Sequence, residues 1–157
     1  EAPVLPFEFT SMSAALEGYL QEIGKLDKEK KLRLEPVRKE TANLKKAAER
    51  FEKRYRKELA KAARAAPERL AALNGLLFRS ERTLTTPQGL PGRDWFKHRL
   101  YAPGLYTGYS AKTLPGIREA AEGGRWEEAN REAETVAGIL RALRRDIDQA
   151  ADAMKGL

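Results

Sequence analysis

The sequence predicts an all-α fold: a four-helix bundle with a long irregular loop over about residues 84–116 and a short helix before the last helix. Three observations carry that prediction. Apolar residues recur at steps of three and four along four separate segments. No stretch between those segments reads as a strand. The one long break in the helical pattern is a run of Pro, Gly and aromatic residues, which punctuates a chain rather than continuing an element.

The first helix is expected from about Ser11 to Leu26, with Met12, Leu16, Tyr19, Ile23 and Leu26 along one side and Thr10 or Ser11 as N-cap. The second runs from about Leu34 to Ala65. Its seam of Leu34, Val37, Thr41, Leu44, Ala48, Phe51 and Tyr55 suits a helix packed nearly parallel to its neighbours. The third opens at Pro67, a residue suited to the first helical position, with Glu68 in the first turn. It presents Leu70, Leu73, Leu77 and Leu84, with Leu76 and Phe78 broadening the stripe. A short helical piece, Ile117 to Glu122, precedes the last helix. That helix is the clearest: Trp126, Ala129, Ala133, Val136, Leu140, Leu143, Ile147, Ala150 and Met154 follow one another by three or four. Glu127 and Glu128 suit its positive N-terminal end, and Gly156 can end it.

A length of 157 residues is one ordinary domain, able to bury a core without covalent staples. The chain opens with Glu1 rather than Met, so it is expected to be part of a longer polypeptide. Residues 1–9 then read as a linker from an upstream domain, and residues 10–157 as the helical domain. With no cysteine there is neither a disulfide framework nor a thiolate metal site. No apolar run approaches the roughly 20 residues needed to cross a bilayer, so no membrane contact by this domain is expected.

The net charge of +7 is unevenly spread. Residues 25–64 hold 16 Lys/Arg against 7 Asp/Glu, while the rest of the chain holds 14 against 16. Charge alone would allow a basic bundle that binds nucleic acid through residues 25–64. The acids, however, are interleaved at helical spacing, Glu35 with Lys39 and Glu49 with Lys53, as on a solvated face. The only rings in that stretch, Phe51 and Tyr55, lie on the apolar stripe, so no nucleic-acid partner is expected.

Catalysis is not written in this chain. His98 is its sole imidazole, and nucleophilic catalysis needs a nucleophile beside an oriented base. A zinc site takes three or four ligands, whereas here Asp94 alone stands at helical spacing from His98. No phosphate-cradling G-x-x-x-x-G-K-[ST] motif occurs. No catalytic residue, metal or cofactor is therefore expected in this chain. His98 reads as a partly buried ring hydrogen-bonded within the loop.

The loop itself is specific. It holds five of the chain's twelve aromatic residues (Trp95, Phe96, Tyr101, Tyr106 and Tyr109), four of its eight prolines, and His98. Long connections in compact domains are functional or disordered, and aromatic-rich sequence argues against disorder. Its string GLPGRDWFKHRLYAPGLYTGYSAKTLPGIREA closely resembles the C-terminal helical domain of the glutamate carboxypeptidase and transferrin receptor family, the transferrin-receptor-like dimerisation domain. The matching pattern is G-L-P-x-R, an aromatic pair, a basic residue and His, then Y-A-P, a Tyr, and P-G-I. VLPFEF at the start and the order of the helices extend the resemblance over essentially the whole chain.

The resemblance implies a homodimerisation module at the C-terminus of a zinc-dependent exopeptidase. Its partners would be a second copy of itself, the peptidase domain of the same polypeptide, and a peptide substrate reached through the loop. Zinc is expected in that missing peptidase domain, and the resemblance implies an extracytoplasmic location. Between the anchors Tyr101-Ala102-Pro103 and Pro115-Gly116-Ile117, glutamate carboxypeptidase carries a Lys-Tyr pair that contacts the carboxylates of a terminal glutamate. Here the Tyr position is Tyr109 and the Lys position is Gly108. A phenol still donates a hydrogen bond to a carboxylate, but the charge-assisted partner is gone, so the resemblance carries no glutamate preference to this chain. Tyr109 has a second reading as a loop-packing aromatic. His98 and Tyr101 are taken as structural supports of the loop. The alternative for the whole protein is a non-catalytic receptor or scaffold, as in the transferrin receptors.

Overall fold

The computed structural model describes residues 3–62, 64–105, 110–155 and 157. Five α-helices lie within them: α1 (Phe9–Gly24), α2 (Glu35–Ala62), α3 (Pro67–Ser80), α4 (Pro115–Glu122) and α5 (Trp126–Ala153). A 3-10 turn, Glu81–Leu84, extends α3, and two short strands, β1 (Tyr101–Pro103) and β2 (Ala111–Thr113), pair antiparallel. The fold is all-α apart from that small ladder.

The strictest apolar repeat builds the centre of the bundle. Ala133, Leu140, Leu143 and Ile147 of α5 are buried against Val37, Leu44, Ala48 and Phe51 of α2 within one core. Each such large side chain, once buried, contributes about 1.5–3 kcal/mol. Polar pairs mark the direction of packing. Residue 33 meets 130, 40 meets 141, 50 meets 148 and 54 meets 151, so α2 and α5 run parallel. In α1, Glu17 faces Lys45 and Thr10 faces Glu52, the antiparallel order. Likewise α3 runs against α5, through Thr83 with Asp146 and Arg69 with Lys155.

Parallel neighbours need a long connection, and helix lengths show where it goes. Helix α5 has 28 residues and α3 has 14, about 42 Å against 21 Å at 1.5 Å per residue. Helix α3 therefore covers only the C-terminal half of α5. The segment that follows the 3-10 turn, through α4, packs over the other half, where a fourth long helix would otherwise lie.

Several details differ from the sequence reading. Helix α1 begins at Phe9, before Thr10 and Ser11, so neither of these caps it. Phe9 is buried and edge-on to Phe51 with ring centroids 5.4 Å apart, which draws the helix start back to that residue. The N–H and hydroxyl of Thr10 donate instead to Oε1 of Glu52 at 2.9 and 2.8 Å, so α2 satisfies a first-turn donor of α1. Leu20 is buried beside the expected stripe, whose Tyr19 packs half-buried against the core, and Leu26 lies beyond the helix, exposed. Phe78 is 62% exposed, because one residue past Leu77 turns its side chain about 100° from the core. The guanidinium of Arg82 covers its ring at 5.7 Å.

Residues 3–5 are held by Asn74 of α3, whose Oδ1 accepts the Leu5 N–H at 2.9 Å and whose amide donates to the Pro3 carbonyl at 3.0 Å. Val4 is fully buried beneath that clamp. Helix α5 ends at Ala153 with Met154 buried, while Gly156 lies outside the described residues.

Candidate functional site

The segment 84–116 has no helical period, yet its described part folds around its own backbone. Two legs pair first. Thr86 N–H donates to the Lys97 carbonyl at 3.0 Å and Arg99 N–H to the Leu84 carbonyl at 2.9 Å, around a bridge of Thr85 with His98. Inside them, Leu90 N–H reaches the Phe96 carbonyl at 2.9 Å. This inner turn requires glycine at 89. Its φ is +68°, and a Cβ there would collide with the backbone carbonyl of Asp94.

The second half continues the pairing. Leu114 N–H donates to the Leu100 carbonyl at 2.8 Å, and β1 matches β2 in the register Tyr101 with Thr113, Ala102 with Lys112 and Pro103 with Ala111. Gly104 N–H to the Ser110 carbonyl, 3.1 Å, adds a further rung. Gly108 and Tyr109, the expected substrate contacts, lie outside the described residues. Leu100 and Leu114 join the buried core of the bundle, which seats the segment on it by apolar contact, and Leu90 and Ala102 are buried as well.

Two guanidinium groups fasten it further. Arg93, 3% exposed, reaches both carboxylate oxygens of Glu119 on α4 at 2.7 Å through Nη2 and donates to the Pro103 carbonyl through Nη1. Glu119 in turn accepts the Leu105 N–H at 2.9 Å. Arg99 is nearly as buried. Its Nη1 lies 2.7 Å from Oε2 of Glu132 on α5, and its Nε donates to Thr86 Oγ1 at 2.7 Å. Burial pushes the Glu132 carboxyl above its ordinary pKa despite the opposing charge of Arg99. A Cβ at Gly116 would collide with that same carboxylate, so the first turn of α4 packs against Glu132 through glycine.

His98 and Tyr101 are brought together. Their rings stack with centroids 5.7 Å apart at 26°, and Nδ1 of His98 accepts the N–H groups of Leu100 and Tyr101, each at 3.2 Å. Those bonds need the neutral imidazole with its proton on Nε2. Burial holds its pKa below the usual histidine value, with Glu81 acting in the opposite sense. Burial, reinforced by a hydrogen bond with Tyr19, pushes the Tyr101 phenol up to about 12. Asp94 and His98 share no helix. Among the described residues no three His, Cys, Asp or Glu side chains group to hold a metal ion. No described helix is long and apolar enough to cross a membrane.

Sequence reasoning passed over Arg93, Arg99, Glu119 and Glu132. The signal was present for one of them, since Arg93 is the arginine of the G-L-P-x-R string.

A probable glutamate carboxypeptidase of Arabidopsis thaliana is 28% identical over 153 residues, covering 98% of this chain and 22% of its own length. A probable glutamate carboxypeptidase of Arthroderma benhamiae is 53% identical over 36 residues, covering 23% of this chain and 5% of its own length. An inactive zinc metalloprotease of Schizosaccharomyces pombe is 28% identical over 146 residues, covering 88% of this chain and 18% of its own length. The chain thus spans about a fifth or less of each of these relatives. Residues 32–148, which include the whole of segment 84–116, match the transferrin receptor-like dimerisation domain, and the chain belongs to that family.

Proposed function

We propose that this chain is the homodimerisation module of a zinc-dependent exopeptidase of the glutamate carboxypeptidase type, with segment 84–116 helping to line the substrate pocket of a peptidase domain outside this chain. The supporting observation is the family match across that segment, joined to relatives named as probable glutamate carboxypeptidases. On this reading residues 1–9 lead in from the upstream domain and residues 10–157 form the dimerising unit. Zinc and the groups that act with it belong to the peptidase domain, and the protein works outside the cytoplasm.

Within the segment, Tyr109 donates a hydrogen bond to the substrate, and Gly108 leaves the neighbouring position without a cation. His98 and Tyr101 hold the loop. The two hydrogen bonds at His98 Nδ1 and the stacked rings support that role. The test is Tyr109→Phe in the intact polypeptide. Loss of a binding contact raises KM for a peptide substrate with kcat unchanged; no change in either constant returns Tyr109 to loop packing.

A second reading rests on the relative named as an inactive zinc metalloprotease, which matches 88% of this chain. The polypeptide would then be a dimeric receptor or scaffold. Stoichiometric zinc together with peptide hydrolysis in the intact polypeptide eliminates it.

A further inference from the structure

The Arg93–Glu119 pair does more than join two elements, because its free capacity is spent on the backbone at one end of the ladder. Arg93 Nη1 donates to the carbonyl of Pro103, the last residue of β1, and Glu119 Oε1 accepts the N–H of Leu105 two residues on. One buried pair therefore grips the chain on both sides of Gly104, where it leaves the rung to Ser110. Leu105 is the last described residue before Tyr109. Arg93 is further wedged by Phe96, whose ring centroid lies 5.4 Å from the guanidinium carbon, and its buried Nε has no acceptor among the described residues. A buried ion pair yields little net stability over an apolar pair of similar size. What this one supplies, with its bonds aimed at Pro103 and Leu105, is position.

We propose that Arg93 and Glu119 are positioning residues that fix the backbone of residues 103–105, where the chain leaves β1 ahead of the sequence positions proposed to meet substrate. The pocket half of this inference rests on the function proposed above; the clamp itself does not. Neither residue touches substrate, and both act through the backbone of residues 103–105.

The deciding variant is Arg93→Met/Glu119→Leu in the intact polypeptide, which removes both charges together and leaves neither buried alone. Hydrogen–deuterium exchange is followed at the amides of Gly104 and Leu105, with α5 amides as reference. Faster exchange by about tenfold at those two amides, with α5 unchanged, is expected from local release of the clamp. KM for a peptide substrate rises and kcat holds, as for Tyr109→Phe. Unchanged exchange at Gly104 and Leu105 overturns the clamp whether or not the protein hydrolyses peptides. Faster exchange, with KM raised in Tyr109→Phe but not in the double variant, overturns the positioning role. Faster exchange with KM unmoved in both overturns the pocket reading and leaves the clamp standing. Should the double variant fail to fold, Glu119→Gln keeps an acceptor for Leu105 while removing the charge. It is then read in the same way, with faster exchange of Gly104 supporting the clamp and unchanged exchange overturning it.

Discussion

Oε2 of Glu132 lies 2.7 Å from Nη1 of Arg99, and this contact ties the middle of the irregular segment to the N-terminal half of α5. Arg99 is buried, at 6% side-chain exposure, and Glu132 is mostly covered, at 12%. Burial raises the Glu132 pKa even with the guanidinium beside it, so desolvation outweighs the attraction.

Glu132→Ala leaves Arg99 buried without its counter-charge and is expected to cost about 3–5 kcal/mol. Arg99→Met/Glu132→Leu is expected to recover most of that loss, since no charge is then stranded. Urea unfolding of the wild type and the two variants checks both expectations. Glu132 also sets a pH trend. With its folded pKa raised, its contribution to stability is fully present below the unfolded carboxyl pKa and is lost as pH rises through the folded one. Glu132→Gln is expected to flatten that fall.

His98 has the opposite sign. Its folded pKa lies below the ordinary 6.5, because burial opposes the charge and Nδ1 serves as acceptor to two N–H groups. Its contribution is complete above that ordinary value and is lost as pH falls through the folded pKa. Melting temperatures should therefore drop on acidification through this range. His98→Asn, which offers an oxygen acceptor and does not titrate, should lose that part of the drop.

Gly89→Ala is expected to cost more than about 1 kcal/mol, since it adds a Cβ to a residue with positive φ. The added carbon also meets the Asp94 carbonyl, part of the backbone and unable to swing aside. Denaturant midpoints give the loss, and faster exchange at the Leu90 amide locates it in the inner turn.

What was legible in the sequence follows from what each position carries. Helix α5 could be read outright, because Ala133, Val136, Leu140, Leu143 and Ile147 are apolar at every core-facing step. That α2 and α5 run in the same direction could not, because an apolar seam allows either direction and the pairs that mark it, such as Arg141 with Glu40, look like solvated charges until their partners are placed. The same blindness hid the burial of Arg93 and Arg99, since only the motif position of Arg93 marks either residue in the sequence. The ladder of β1 and β2 escaped because three residues are too few to show alternation. The special character of segment 84–116 was plain from composition, whereas Gly108 and Tyr109 came from the family motif and not from any periodicity.

Self-association is the central expectation for a transferrin receptor-like dimerisation domain, and sedimentation equilibrium of the intact polypeptide at micromolar concentration tests it most directly. A mass of two chains is expected. A mass of one chain throughout that range contradicts it.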